Sequence, residues 1–194
     1  MKRLLLFLVI LFVQISVAMA QGSDFQRAVS HFKGHGATAA ATRITHKAAL
    51  ANDATAQGTL TMRQPATVEI SIDGGKDALL MEGSTFTMTV RGKKHTTTSQ
   101  QNLQFATFQK VFEGILAGGA QDIAALKEVT VKKDGKKLVV TITPEAADKK
   151  QQRRMMFSSF VLTIDAATSQ LLSLRMNEKA DNYTEYTFSN FQFK

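Results

Sequence analysis

The sequence contains four histidines, and their spacing does not favour a metal site. His31 and His35 are four residues apart, but Gly34 between them ends the predicted helix that would align them. His46 and His95 have no carboxylate at a ligand-like spacing. The chain has no cysteine, which excludes thiolate catalysis and cysteine-based zinc sites. We therefore expect surface or turn histidines, and we predict no metal and no other cofactor.

The hydroxyl and carboxyl side chains do not form a recognisable catalytic arrangement. The Gly-x-Ser-x-Gly motif that exposes a nucleophilic serine is absent, and no serine or threonine has a recognisable base partner. The acidic residues fall mostly in turns and on polar strand faces, so no acid–base pair stands out. The sequence therefore predicts that the protein is not an enzyme.

The densest basic segment is Lys132-Lys133-Asp134-Gly135-Lys136-Lys137. Its Asp-Gly pair is typical of a hairpin turn, so we expect solvated lysines at a hairpin tip. Nucleic-acid binding would favour aromatic side chains between the charges, and this segment has none. We therefore predict no nucleic-acid partner.

The elements that must position these side chains are mostly β-strands. Val68, Ile70 and Ile72 alternate with polar residues, which is the period of a half-buried strand. Most junctions carry Gly, Asp or Asn, which predicts hairpins between consecutive antiparallel strands. Strands are predicted at 37–47, 57–64, 66–73, 78–82, 85–91, 94–99, 127–133, 137–143, 157–165, 170–178 and 183–192.

Two helices are predicted as well. Apolar residues at helical spacing indicate a helix over 23–33, which Gly34 ends, and another over 102–116, which Gly118 and Gly119 end. The polar segment 149–154 is predicted to be an exposed connection.

Strand number and polarity together predict the architecture. About eleven consecutive antiparallel strands seldom form a flat sheet, because twist makes a sheet of that size curl. The predicted fold is mainly β (α+β): an incomplete, strongly curved antiparallel barrel, with an N-terminal helix and a lid helix over an apolar concavity. The side chains expected to line this cavity are Val68, Ile70, Ile72, Phe86, Met88, Val90, Phe105, Phe108, Phe112, Leu116, Phe160, Leu162, Leu174 and Met176.

The same apolar residues allow two interpretations. The chain has 13 phenylalanines and 8 methionines but no tryptophan, and stiff Phe with flexible Met suits an adaptable ligand pocket. They would equally suit a densely packed core, and the sequence leaves both alternatives open.

The N-terminus has the order of a secretory signal peptide. Lys2 and Arg3 precede an apolar run over 4–13, and Ala18-Met19-Ala20 fits the small-x-small cleavage pattern. We predict a signal peptide at 1–20 and one domain over 21–194, in an exported compartment that is most simply a bacterial periplasm. Removal of Lys2 and Arg3 lowers the formal net charge from +8 to +6, and this positive charge would help the mature chain approach an anionic membrane surface or an acidic partner.

Three features occur together and in order: a signal peptide before a short amphipathic helix, "GTLTMRQP" before alternating strands, and a phenylalanine-rich helix after the sixth strand. The C-terminal "FVLTIDAATSQLLSLRMNEKADNYTEYTFSNFQF" adds a hairpin and a final strand. The chain thus resembles the periplasmic outer-membrane lipoprotein carriers (LolA-like proteins) over essentially all of its mature length.

The resemblance implies a function. A soluble periplasmic carrier would bind the acyl chains of lipoproteins, or other lipids, in the cavity between barrel and lid. It would receive the cargo from an inner-membrane release complex and pass it to an outer-membrane acceptor, as a monomer and without cofactor. The alternative is a periplasmic adaptor or regulator with the same half-barrel, which senses a lipid or a peptide.

The resemblance also implies a latch on the lid. In the family an arginine directly before the proline holds the lid shut through hydrogen bonds; here Gln64 precedes Pro65, and Arg63 falls one place earlier. One residue of offset turns a strand side chain to the opposite face, so Gln64 would make a neutral, weaker clasp. We expect the latch at Arg63, Gln64 and Pro65. We also expect Pro65 to break strand pairing where the barrel is incomplete.

Overall fold

The computed structural model describes residues 22–146 and 148–194, so the predicted signal peptide lies outside the described residues. The first element, α1, is helical over 22–28 and is followed by a short 3-10 helix at Ser30–Phe32. The predicted helix over 23–33 is therefore divided in two. Gly34 follows with φ 79°, in the left-handed region that glycine tolerates and that ends the helical segment.

The remaining helices are short. The predicted helix over 102–116 consists of a 3-10 turn, Leu103–Phe105, that continues into α2, Ala106–Leu116. The predicted connection over 149–154 is largely exposed but helical (α3, Lys149–Arg154), because Asp148 caps it by accepting a hydrogen bond from the Gln151 amide. Among residues 22–146 and 148–194, none of the helices combines the length and apolar composition needed to cross a bilayer.

The strands form one 11-stranded antiparallel sheet. They are β1 Ala37–His46, β2 Ala54–Arg63, β3 Thr67–Ile72, β4 Asp77–Glu82, β5 Thr85–Val90, β6 Lys93–Thr98, β7 Val129–Asp134, β8 Lys137–Ile142, β9 Ser159–Asp165, β10 Leu171–Asn177 and β11 Tyr183–Phe193. The order across the sheet is β6-β5-β4-β3-β2-β1-β11-β10-β9-β8-β7, with β1 paired to β11. The two edges are β6 and β7, so the barrel is incomplete, as predicted.

The hairpin from β2 to β3 shows how alternation sets the register. Leu60 pairs with Ile70 and Met62 with Val68, which places all four side chains on the buried face. On the same face a Cβ at Gly58 would lie 1.9 Å from the Ser71 carbonyl oxygen, so glycine is required where the two backbones approach.

Pro65 lies in the turn of this hairpin, and the Gln64–Pro65 peptide bond is cis. Strand pairing continues up to Arg63 and Thr67 on either side of the turn. The expectation that Pro65 breaks pairing at the incomplete part of the barrel is therefore wrong. The open edges are β6 and β7, whereas β2 and β3 are interior strands and the proline occupies a turn that needs no ladder hydrogen bond.

Helix α2 packs against the concave face of the sheet. The ring centroid of Phe108 lies 4.7 Å from that of Phe160 on β9 and 6.0 Å from that of Phe86 on β5. Phe105, just before α2, stacks on Phe86 at 4.7 Å. The helix therefore joins two separate regions of the curved sheet through aromatic contacts, and its apolar face fills the concavity.

Candidate functional site

Gln64 connects the end of β2 to the ends of two helical segments. Its Nε2 donates to the carbonyl oxygens of Phe32 at 3.0 Å, His35 at 2.9 Å and Leu116 at 2.7 Å. Phe32 ends the first 3-10 helix and Leu116 ends α2. We call these three contacts the Gln64 clasp. The amide carries only two hydrogens, so the three acceptors share them.

The chemistry of the clasp follows from the helix ends. The last carbonyl groups of a helix have no intrahelical partner and carry partial negative charge, so they favour a donor. After α2, the amides of Ala117 and Gly118 bond back to Glu113 and Ile115, and Gln64 supplies a donor to Leu116. A side chain from the sheet thereby fixes the C-terminal end of α2.

Arg63 lies on the other side of the strand. Its Nη1 is 3.7 Å from Glu69 Oε2, and 54% of its side chain is exposed. Of the three residues expected to form the latch, Gln64 reaches the helices, Pro65 forms the turn, and Arg63 points elsewhere.

A second polar contact holds the start of α2, and the sequence analysis missed it. The buried side chain of Gln104 accepts a hydrogen bond from the Phe157 amide at 3.1 Å and donates to Asn102 Oδ1 at 3.0 Å. This ties the beginning of the lid helix to the connection between α3 and β9. A glutamine among the apolar residues of a predicted helix could have suggested a buried polar contact, but the sequence does not indicate its partner, which is 53 residues away.

The structure fills most of the predicted cavity with side chains. Among the expected cavity residues, the following are buried in the core: Val68, Ile70, Ile72, Phe86, Phe108, Phe112, Leu116, Phe160, Leu162 and Leu174. Phe105 and Met176 are also buried, Met88 is partly buried and Val90 is exposed, and these four border an open groove beside the core.

The groove consists of two adjoining depressions of about 180 and 450 Å³ that share Met88, Val90 and Met156. It runs from the inner side of edge strand β6 past the start of α2 to β10 and β11. We call it the seam groove. Val90 is 45% exposed and Met156 is 56% exposed, so its walls present apolar surface to solvent. Met156 was not among the predicted site residues, although an apolar pair after the polar segment 149–154 could have suggested it.

An ion pair crosses the inner end of the groove. Arg43 Nη1 on β1 donates to Asp77 Oδ2 on β4 at 2.6 Å, although β2 and β3 lie between these strands in the sheet. Ala56 is the β2 residue opposite Arg43, and its small side chain leaves space for the guanidinium to cross. The Arg91 amide donates to Asp77 Oδ1 at 2.7 Å, and this bond, followed by the Arg43 contact, lowers the pKa of Asp77.

Arg43 is partly buried, with 21% of its side chain exposed. It pairs across the ladder with Tyr186, whose pKa is raised to about 12 by burial. Within the part of the chain that the structure describes, the Nε of Arg43 is buried without a hydrogen-bond partner. The groove therefore combines apolar walls with a largely neutralised polar pair, an arrangement suited to binding an amphiphilic molecule.

One histidine, His95 on β6, lines the seam groove, and the other three make polar contacts elsewhere. His31 contacts the Ser169 hydroxyl at 3.1 Å, His35 contacts the Lys194 carbonyl at 3.3 Å, and His46 contacts Asp53 at 2.7 Å. Across residues 22–146 and 148–194, no group of three or more His, Cys, Asp or Glu side chains is placed to hold a metal ion.

Comparison with known proteins gives one family match. Residues 36–194 match the sequence model of the family described as outer membrane lipoprotein carrier protein LolA. No match was found among curated proteins.

Solved structures show a distant likeness in fold. A Vibrio parahaemolyticus domain described as an outer membrane lipoprotein-sorting protein is 12% identical, with 91% of this chain and 93% of that chain covered and a TM-score of 0.45. The lipoprotein LppX of Mycobacterium tuberculosis is 12% identical, with 89% and 94% covered and a TM-score of 0.39. MucB, in the Pseudomonas aeruginosa MucA/MucB complex structure, is 12% identical, with 90% and 57% covered and a TM-score of 0.38. Likenesses this low carry no functional argument.

Proposed function

Since this chain belongs to the LolA family of outer membrane lipoprotein carrier proteins, we propose that it binds the acyl chains of a lipoprotein, or of another lipid, and carries them from the inner to the outer membrane. In this proposal a cleaved signal peptide exports the chain to the periplasm, where it acts as a monomer and catalyses no reaction. An inner-membrane release complex supplies the cargo and an outer-membrane acceptor receives it. The observation that carries the proposal is the seam groove, an exposed apolar surface that continues into the aromatic core.

Burial of apolar surface would drive capture. Each methylene removed from water contributes about 0.8 kcal/mol, so a few methylenes of an acyl chain suffice for a first contact with Met88, Val90 and Met156. The two depressions, at about 180 and 450 Å³, give that contact a place to form. A longer acyl chain would need the space that α2 occupies.

The Gln64 clasp gives the lid a release point. In the proposed cycle, α2 separates from the sheet when the clasp breaks, and Phe86 and Phe160 then face the acyl chain in place of Phe108. Return of α2 would expel the ligand at the acceptor. Because Gln64 is neutral, its clasp is weaker than one made by a charged donor, and the closed state is correspondingly less favoured.

A fluorescent fatty-acyl probe tests the proposal. We expect the wild-type protein to bind the probe, and we expect Met156→Gln to weaken binding about tenfold, since roughly two methylenes lose their apolar contact. Leu50→Gln is the matched control: Leu50 is also an exposed apolar side chain, at 62%, but does not line the groove. Wild-type protein that does not bind the probe, or equal losses in the two variants, would contradict the proposal.

A further inference from the structure

We propose that the rim of the seam groove is a docking surface for an anionic lipid bilayer, with the groove facing the headgroups. Two pairs of cations flank the groove. Lys93 and Lys94 begin edge strand β6, and Lys150 and Arg154 belong to α3. All four are exposed.

The register and the shared lining place these cations at the groove. Lys93 pairs across the ladder with Val90, which is part of the groove wall, and Lys94, the next residue along β6, pairs with Thr89, which also borders the groove. Lys150 and Arg154 line a hollow that shares Thr97, Asn102 and Gln104 with the groove. The positive charges therefore lie on both sides of the same opening.

The charge of the rim is not fully neutralised locally. In the described part of the chain, Lys93, Lys94, Lys150 and Arg154 form no ion pair with a carboxylate. The carboxylates that line the groove are already paired, Asp77 with Arg43 and Glu178 with Lys47. Asp148, which caps α3, lines the same hollow as Lys150 and Arg154 and offsets part of their charge, so cations outnumber unpaired carboxylates at the rim. The rim is left positive, which complements an anionic surface.

Exposed apolar side chains accompany this charge. Val90, Leu103 and Met156 are 45%, 48% and 56% exposed, and all three belong to the groove wall or to the turn before α2. Basic residues around exposed apolar side chains are typical of proteins that bind at the bilayer interface. A bilayer is also the source of acyl chains, so the purpose of this surface rests on the proposed function. Binding to vesicles can be measured whether or not the protein carries acyl chains.

Sedimentation with lipid vesicles tests the inference. The protein used is the one recovered after expression of the full chain. We expect binding to vesicles of mixed phosphatidylglycerol and phosphatidylcholine, and much weaker binding to phosphatidylcholine alone or at high salt. Each basic side chain near an anionic surface changes partitioning about fivefold, so Lys93→Gln with Lys94→Gln should lower it by more than about tenfold.

The β7–β8 hairpin offers a matched control. Lys133→Gln with Lys136→Gln removes the same charge from an exposed hairpin tip, which borders a separate depression with Asp24 and Arg27. This pair should change vesicle binding by less than about threefold, because salt screens charges that lie farther from the bilayer than the Debye length. Equal losses in the two double variants, equal binding to neutral vesicles, or no binding to anionic vesicles would overturn the docking surface.

A parallel titration with the fatty-acyl probe separates this inference from the proposed function. The Lys93→Gln, Lys94→Gln protein should keep wild-type probe affinity, which also shows that it is folded. Probe binding without vesicle binding refutes the docking surface alone. Vesicle binding without probe binding refutes the carrier function and leaves the docking surface supported.

Discussion

Replacing Gln64 with leucine should release α2 from the sheet. The substitution keeps the approximate size of the side chain and removes the donor to the carbonyls of Phe32, His35 and Leu116. Only the bond to Leu116 reaches α2, whereas the bonds to Phe32 and His35 hold the N-terminal helical segment. At about 1 kcal/mol of net stabilisation for that bond, the population in which α2 is detached should rise about fivefold, because every 1.4 kcal/mol is a factor of about ten.

Gln64→Arg should have the opposite effect. A charged donor contributes roughly 1.5–3 kcal/mol per hydrogen bond, and the carbonyl ends of helices favour a cation. A surplus of about 1 kcal/mol would favour the closed lid several-fold, and acyl-ligand affinity would fall by a comparable factor if entry requires opening.

Hydrogen exchange of the amides in Ala106–Leu116, read by mass spectrometry, measures lid opening directly, and titration with an acylated peptide measures its effect on affinity. Arg63→Ala is the control, since Arg63 is the adjacent residue and contacts Glu69 instead of the helices. The clasp idea fails if Arg63→Ala alters exchange and affinity strongly while the two Gln64 variants match the wild type.

Three further results are expected. Phe108→Ala should lower the free energy of unfolding by about 3–5 kcal/mol in urea denaturation, because the ring is buried against Phe112 and Phe160. The pKa of Asp77 is lowered below its ordinary 3.8, so its contribution to stability is present above that pH and is lost as the pH falls through the lower, folded-state pKa. The acid-induced fall in melting temperature below that pH should therefore be shallower in Asp77→Asn. N-terminal sequencing of protein from the soluble exported fraction should begin at Gln21, and intact Met1 on membrane-bound material would contradict the predicted cleavage.

The strands were predictable because their signals are local. Alternation such as Val68, Ile70 and Ile72, closed by turn residues, encodes a strand and its partner within a few residues. The N-terminal helix was predicted too long because its end depends on contacts with residues far away in the sequence. Phe32 packs edge-on against Phe193 of the last strand at 5.0 Å, and this contact with a distant part of the chain accompanies the 3-10 segment that replaces the end of the helix.

The site divides in the same way. Gln64 could be singled out because it directly precedes Pro65 in a segment that resembles the family. Strand alternation then turns the neighbouring Arg63 to the opposite face. The pair of Arg43 and Asp77 was not found, since its partners are 34 residues apart and on strands that do not pair. One sign was present: Arg43 follows the small apolar residues of the same strand face, Ala37, Ala39 and Ala41, and replaces them with a charge.

The filled interior sets a condition on the proposed carrier cycle. With Phe108 packed between Phe86 and Phe160, an acyl chain can pass from the seam groove into the interior only by replacing the contacts that this ring makes. The observed affinity is then the affinity of the open form reduced by the fraction of molecules that are open. In the proposed cycle, an acyl chain would offset that cost with its own methylenes and a short polar ligand would not, so the lid would select for long apolar chains without any specific contact. The neutral clasp of Gln64 would make the open form more accessible than a charged clasp, and α2 would displace the cargo when a better acceptor is near.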